Sequence, residues 1–201
     1  MKIAEIYRSI QGEGPAIGDC ATFIRTSGCN LDCQGCNVAR HDGAEMSIND
    51  VVEVVKRMNN DIVVVTGGEP FIQPEVPELI KALDENDFVV DVETNGTCYV
   101  PEAIQWAVRF FLVSPKKGYP IHHSVFDQRF ITWKFTIGPH RCMWSVEEVV
   151  QFIECNCLNK STVYLMPYDV IDAKAVWDKC IEYGLNYSDR LSRRINNVQS
   201  I

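Results

Sequence analysis

The 201-residue chain has no run of 18 apolar residues, which excludes a membrane-spanning helix, and no membrane partner is expected. Its opening "MKIAEIYRSIQGEG" lacks the apolar core of a secretory signal, so the expected location is the cytoplasm. No long basic run occurs and the net charge is −8, which disfavours nonspecific nucleic-acid binding through phosphate neutralisation. The short patch "RLSRRINN" reads instead as a surface feature or a substrate lid. Internal repeats, low-complexity tracts and linkers are also missing, so residues 1–201 are expected to form one domain. Its 46% hydrophobic content is enough for a substantial core.

Nine cysteines stand out against these absences. Cytosolic thiols are kept reduced, so a tight cysteine cluster reads first as metal-binding. An odd count leaves at least one thiol unpaired under any disulfide scheme. Three of them, Cys29, Cys33 and Cys36, fall at Cys-x3-Cys-x2-Cys within "RTSGCNLDCQGCN". Zinc would need a fourth ligand, such as His41 or another cysteine, and only one knuckle-like spacing is present. The alternative is a cubane iron–sulfur cluster with one iron open to a substrate or cofactor. The remaining cysteines (20, 98, 142, 155, 157 and 180) read as buried or partly buried thiols, and "CNC" at 155–157 has no companion pair for a second metal site.

Short β-rich runs alternate with helical stretches. "IVVVTGG" (62–68), "FVVDVETNG" (88–96), "RFFLVSPK", "FITWKFT" (130–136) and "TVYLMP" (162–167) read as strands. Helices are expected at 47–59 with Ser47 as N-cap, in "QPEVPELIKALDEN", in "PEAIQWAV", at 145–154 and at 172–184. Pro70 and Pro74 read as helix-entry residues. Such repetition implies right-handed βαβ units around one parallel sheet. "TGGEP", "ETNG", "SPKKG" and "MPYD" close four strands, so the chemistry is expected at the carboxyl ends of the strands. His122 and His123, in "YPIHHSVFD", suit substrate contact or ordinary solvation equally.

Cys-x3-Cys-x2-Cys followed about thirty residues later by a strand ending in "GGEP" resembles the radical S-adenosylmethionine (SAM) enzymes. "EIYRSIQGEGPAIGDCATFIRTSGCN", with "TGGEP", "ETNGT", "SPKKG" and "KF" in order, further resembles 7-carboxy-7-deazaguanine synthases over roughly residues 3 to 167. The resemblance implies a partial TIM-like parallel β/α barrel of the radical SAM type, within the α/β class. It implies a 4Fe-4S cluster on Cys29, Cys33 and Cys36, with SAM as the fourth ligand and source of a 5′-deoxyadenosyl radical. It also implies conversion of 6-carboxytetrahydropterin to 7-carboxy-7-deazaguanine with loss of ammonia, in 7-deazapurine (queuosine-type) biosynthesis.

By the same resemblance, Gly35, Asn37, Gly68, Glu69, Ser114, Pro115 and Lys116 meet SAM, with "TGGEP" as the edge for its amino group. Ile10, Gln11, Gly12, Arg25 and Thr66 meet the substrate. A guanidinium at Arg25 would fork onto the substrate carboxylate, although a surface ion pair on an alternating strand is the plainer role for it. Implied partners are the small pterin substrate, an electron donor such as flavodoxin and a second copy in a homodimer, with no direct nucleic-acid contact. Magnesium is usual in the family, but Val38 stands where a threonine helps hold the ion. Met166 replaces a common glutamine, and the final residues do not reproduce the family's ending. Two rivals share part of the pattern: the activating enzyme of an anaerobic ribonucleotide reductase, and a nonenzymatic zinc-stabilised binding module.

Overall fold

The computed structural model describes residues 1–34, 36 and 43–195. Among these residues nine strands form one sheet: β1 (Lys2–Ile10), β2 (Cys20–Thr26), β3 (Ala44–Glu45), β4 (Ile62–Gly67), β5 (Val89–Thr94), β6 (Phe110–Val113), β7 (Ile131–Ile137), β8 (Val163–Pro167) and β9 (Asn186–Tyr187). Their order is β3-β1-β2-β4-β5-β6-β7-β8-β9. From β2 to β9 every neighbour is parallel, as the strand–helix repetition predicts. The wholly parallel sheet expected from the sequence is corrected at one end, where β1 pairs antiparallel with both β2 and β3. Only residues 11–19 join β1 to β2, and a parallel crossover needs about a dozen or more. β3 and β9 end the sheet without meeting, so the barrel is open.

Among the described residues six α-helices accompany the strands: α1 (Ile48–Arg57), α2 (Val76–Asp84), α3 (His123–Phe126), α4 (Val146–Cys155), α5 (Ala173–Tyr183) and α6 (Leu191–Ile195). Ser47 caps α1 as expected: its side chain accepts from Asp50 N, and Asp50 reciprocates onto the Ser47 backbone. Ser145 and Glu148 do the same for α4. Gly184 ends α5 in the left-handed conformation, at φ 66°. Two helical expectations change. "PEAIQWAV" gives only a 3-10 turn at Glu102–Ile104, and Trp106 is exposed rather than part of a buried stripe. Pro70 opens a 3-10 turn, and the proline in the first turn of α2 is Pro77 rather than Pro74. Among the described residues no helix is long and apolar enough to cross a membrane.

The two faces of the sheet differ in chemistry. Ile24, Val63, Val65, Val92, Phe135 and Leu165 point outward into one core with the apolar faces of α1, α2, α4 and α5. Each such fully buried side chain contributes roughly 1.5–3 kcal/mol relative to exposure. Strand alternation then turns Thr66, Asp91, Glu93, Thr132, Lys134 and Thr136 to the concave side, and all of these except Glu93 are buried. A buried polar face needs partners or a ligand. That requirement places the site inside the open barrel.

Candidate active site in the open barrel

The cysteine loop leaves the carboxyl end of β2. It is held at its root, where Ser27 N donates to Lys2 O (3.0 Å) and Gln73 Nε2 donates to Ser27 O (3.0 Å). Gly28 adopts φ 88°, a left-handed turn that sends Cys29 back over the sheet. Cys29 Sγ accepts from Leu31 N at 3.4 Å and from Asn95 Nδ2 at 3.9 Å. Such N–H donors stabilise a thiolate and tune a cluster held by it. Burial, and after it the neighbouring Cys142, push the Cys33 thiol up to about 11 while it carries no metal. Cys36 N donates to Cys33 O at 3.2 Å, which keeps the two cysteines on one turn. Among the described residues no three His, Cys, Asp or Glu side chains converge tightly enough for a single ion. A cubane makes no such demand, because each thiolate binds a different iron; the donor set and its N–H support fit that group.

The glycine-rich end of β4 lies directly against this loop. A Cβ on Gly68 would sit 2.2 Å from Gly28 O and 2.7 Å from Cys29 Cβ, so only glycine allows the approach. Glu69 N donates to Gly28 O at 3.0 Å and completes the contact. The Glu69 carboxylate is fully buried and accepts from Phe71 N, Thr94 Oγ1 and Asn95 N. Burial raises its pKa against the pull of those donors. Its side chain therefore ties "GGEP" to "ETNG", and any ligand edge here is backbone. Across the mouth, Lys116 Nζ donates to Ser114 O (2.9 Å) and Ser114 Oγ (2.7 Å), while Pro115 O accepts from Trp144 Nε1 (2.9 Å). Burial, then the charge of Lys134, lower the Lys116 pKa to about 8.

Residues 11–19 fold into the concavity rather than away from it. Gln11 N donates to Asp19 O at 2.7 Å and closes the segment at its base. Arg109 forks onto buried Asp91 (2.8 and 2.6 Å) and reaches Asp19 (3.1 Å). Gln11 Nε2 donates to Glu93 Oε1 (3.0 Å), and Thr66 Oγ1 donates to Glu93 Oε2 (2.9 Å). One carboxylate thus joins three strand or loop positions on the inner face. Glu13 lies between Lys134 and Arg190, with Arg190 Nε donating at 2.9 Å. Burial opposes its charge, but Lys134 and Arg190 outweigh burial and hold its pKa near about 2. Gly14 N donates to Ser188 Oγ (2.9 Å) and Leu191 N to Gly12 O (3.1 Å), so the segment also meets the chain after β9.

A family model for the Radical SAM superfamily matches residues 23–134, from β2 through the cysteine loop to Lys134. A 7-carboxy-7-deazaguanine synthase from Hyperthermus butylicus is 30% identical over 217 residues, covering 95% of this chain and 91% of the relative. The chain belongs to the 7-carboxy-7-deazaguanine synthase family of the radical SAM superfamily. A synthase of the same name from Bacteroides thetaiotaomicron is 39% identical over 127 residues, 63% of this chain and 67% of its own length. The solved structure of QueE from Escherichia coli superposes with a TM-score of 0.74 at 24% identity, covering 94% of this chain and 92% of that one. SuiB from Streptococcus suis, solved bound to S-adenosylmethionine, gives 0.55 at 15% identity over 86% of this chain and 49% of its own. These two likenesses show the fold: a partial radical SAM barrel.

Membership in the radical SAM superfamily implies a 4Fe-4S cluster and SAM, and most residues expected to serve them surround one mouth. Cys29, Gly68 and Glu69 are linked there by the contacts above, and the charge of Lys116 acts on both Cys33 and Glu69. Gly35, Asn37, Val38 and His41 lie outside the described residues. Of the residues expected at the substrate, Gln11 and Thr66 meet at Glu93, whereas Ile10 ends β1 with an exposed side chain and offers only backbone. Gly12 contributes its carbonyl to Leu191 N. Arg25 pairs in register with Thr66 but is engaged with Glu5 and Tyr7 at the barrel edge, the ion pair of its plainer reading. Glu13, Glu93, Lys134, Arg190 and Cys142 were not singled out from sequence. For Glu93, Lys134 and their neighbours the available signal is alternation, as in "TWKFT", where Thr132, Lys134 and Thr136 share the face opposite Trp133 and Phe135.

Proposed function

We propose that this protein is a 7-carboxy-7-deazaguanine synthase, contracting the ring of 6-carboxytetrahydropterin with loss of ammonia. The observation that carries the reading is the Gln11–Glu93–Thr66 platform inside the barrel, beneath the cysteine loop. A flat heterocycle rich in N–H groups needs a carboxylate acceptor and amide partners in its plane, and Glu93 with Gln11 supplies both. Cys29, Cys33 and Cys36 would hold the cluster. Backbone of Gly67–Glu69 and the Ser114–Lys116 segment would hold SAM across the mouth from it. When bound, cluster and SAM supply the one-electron chemistry that starts the reaction. The chain's own task is to hold the substrate still and exclude water, which the inward fold of residues 11–19 serves by filling the concavity from below.

Lys116, Lys134 and Arg190 surround Glu13, so at that point of an interior that also holds Glu93 and Asp91 an anionic ligand group would meet cationic partners. Arg25 is proposed to meet the substrate carboxylate through N–H groups not used by Glu5 and Tyr7. An electron donor such as flavodoxin, a homodimer and a cytoplasmic location belong to the same proposal, as does a magnesium requirement weakened by Val38. Exposed Ile171, Trp177, Ile181 and Ile195 on and beside α5 and α6 offer apolar surface to a second copy. The deciding experiment is anaerobic reconstitution with iron and sulfide, then mass spectrometry of the products from SAM, reductant and 6-carboxytetrahydropterin. A product lighter by ammonia is expected. SAM cleavage without that product, but with a glycyl radical on a protein substrate, would move the chain to the activating-enzyme class.

A further inference from the structure

The Gln11 amide is buried, and its orientation is set from two sides. Gln11 Nε2 donates to Glu93 Oε1 (3.0 Å), and Gln11 Oε1 accepts from Glu13 N (3.1 Å). A carboxylate accepts and a backbone N–H donates, so these partners admit only one of the two amide orientations. Glu13 is gripped in turn at its carboxylate, by Lys134 from β7 and by Arg190 Nε (2.9 Å) from the segment after β9. That segment also brackets Glu13 on the backbone. Leu191 N donates to Gly12 O (3.1 Å), and Gly14 N donates to Ser188 Oγ (2.9 Å). The bracket is anchored to the sheet where Ser188 N donates to Leu165 O (2.9 Å), and Arg190 N is tied to Asp189 Oδ1 (2.8 Å). A continuous path of contacts therefore runs from Arg190 through Glu13 and Gln11 to Glu93.

We propose that Arg190 is a positioning residue for the substrate, acting through Glu13 to hold the Gln11 amide in place against Glu93. The inference rests on the proposed activity, in which Gln11 and Glu93 receive the pterin ring. Lys134 holds one oxygen of Glu13 and by itself leaves the carboxylate free to turn about that contact. Arg190 on the other oxygen stops the rotation, and with it any shift of Glu13 N against Gln11. A Gln11 amide released by Glu13 N could turn its oxygen toward Glu93, where two acceptors would face each other. The Arg190 side chain is only 12% exposed, so its bond to Glu13 is weakly screened by solvent and salt. Removing Arg190 still leaves Glu13 paired with Lys134, so the order of the platform is lost before the fold.

The test is calorimetric titration of the reconstituted full-length protein with SAM present and reductant absent, so that 6-carboxytetrahydropterin binds without turnover. Arg190→Ala is expected to raise its Kd about tenfold, the scale of one hydrogen bond to a charged group. The Kd of SAM and the iron per chain should stay near wild type. Arg190→Lys keeps the charge but not the fixed fork of the guanidinium, and is expected between the two. A purely structural role would lower the fraction of chains that bind and leave the Kd unchanged. That result, an equal loss of affinity for SAM, or Arg190→Lys no better than Arg190→Ala overturns the proposal. Should Arg190→Ala fail to keep its cluster, Arg190→Gln decides, since it keeps an N–H donor and loses the charge. Its Kd is expected several-fold above wild type; a wild-type Kd, or loss of the cluster here too, overturns the proposal. Wild-type protein that binds SAM but not 6-carboxytetrahydropterin would instead remove the proposed activity beneath it.

Discussion

Glu13 accepts a hydrogen bond from Arg190 Nε at 2.9 Å, joining positions 177 residues apart, and pairs with Lys134 on its other side. The first expected outcome is a loss of stability in acid. Glu13 is held near pKa about 2 against an ordinary 4.5, so its contribution is fully present above 4.5 and fades as pH falls from there toward 2. Linkage over that interval is worth roughly 3 kcal/mol, a large part of a typical 5–15 kcal/mol domain stability. Glu13→Gln should flatten this stretch of the pH–stability curve, measured by denaturant unfolding of the metal-free protein. It should also cost about 3–5 kcal/mol near neutrality, because Lys134 and Arg190 lose their shared anion. An unchanged slope between pH 4.5 and 2 would remove Glu13 from the acid response.

Gly68 offers a test of the contact between the glycine edge and the cysteine loop. In Gly68→Ala the new methyl would lie 2.2 Å from Gly28 O, which is backbone and cannot swing away. The loop root must shift, and the cysteines with it. Iron and sulfide per chain should fall after reconstitution, with circular dichroism little changed. Full iron content in Gly68→Ala would show that the loop adapts and that the glycine is there for something else.

The sheet and its main helices were legible because their signals are local. Apolar runs ending in glycine marked β4, and Ser47 as N-cap marked the start of α1. The antiparallel β1 was hidden because the sequence pattern counts strand–helix units and β1 has no helix after it. "PEAIQWAV" has helical residues, but exposed Trp106 leaves too narrow a buried stripe to extend the turn. At the site, short motifs named Gln11, Thr66 and the three cysteines. Their partners were not nameable, since Glu13–Lys134 spans 121 residues and Cys142–Gln34 spans 108. Linear spacing carries no information about contacts of that kind. The alternation of Thr132, Lys134 and Thr136 could have marked a polar inner face, but not which acid would reach it.

Single cysteine replacements separate the three proposed ligands from the rest. Cys29→Ala, Cys33→Ala and Cys36→Ala should each abolish the cluster, read as iron, sulfide and visible absorbance. Cys155→Ala and Cys157→Ala should keep it, because both thiols are exposed, one on the last residue of α4 and one just after it. Loss of iron in the latter pair, with Cys33→Ala unaffected, would transfer the metal site to "CNC".

In the proposed reading, Val38 offers no hydroxyl where the family resemblance implies a threonine toward magnesium. Product formation across a magnesium titration, with chelator as the zero point, should therefore rise less steeply than in a threonine-bearing relative. Val38→Thr should steepen it, since threonine matches valine in shape and adds one oxygen. Wild-type activity abolished by chelator and steeply restored by magnesium would show that other groups complete the ion's site.

Arg25 carries the last prediction. Its side chain lies on the concave side of β2, in register with Thr66, and Nη2 donates to Tyr7 OH at 2.7 Å while Nε meets Glu5. Tyr7 is itself fixed by stacking on Phe23, with ring centroids 5.3 Å apart. The guanidinium is thereby oriented before any ligand arrives, which reduces the ordering cost of a fork onto a carboxylate. Arg25→Ala should weaken binding of 6-carboxytetrahydropterin by about 2–5 kcal/mol, as removal of one partner of a buried charge pair does. Cluster content and reductive cleavage of SAM should stay near wild type. Arg25→Lys should recover only part of the affinity, because an ammonium cannot reproduce the planar fork. Tyr7→Phe removes one anchor but no charge, so its loss should be smaller than that of Arg25→Ala. Calorimetric titration of the reconstituted proteins checks all three. Equal affinity in wild type and Arg25→Ala would leave Arg25 as the partner of Glu5 alone and pass the carboxylate to the interior cations at Lys116 and Lys134.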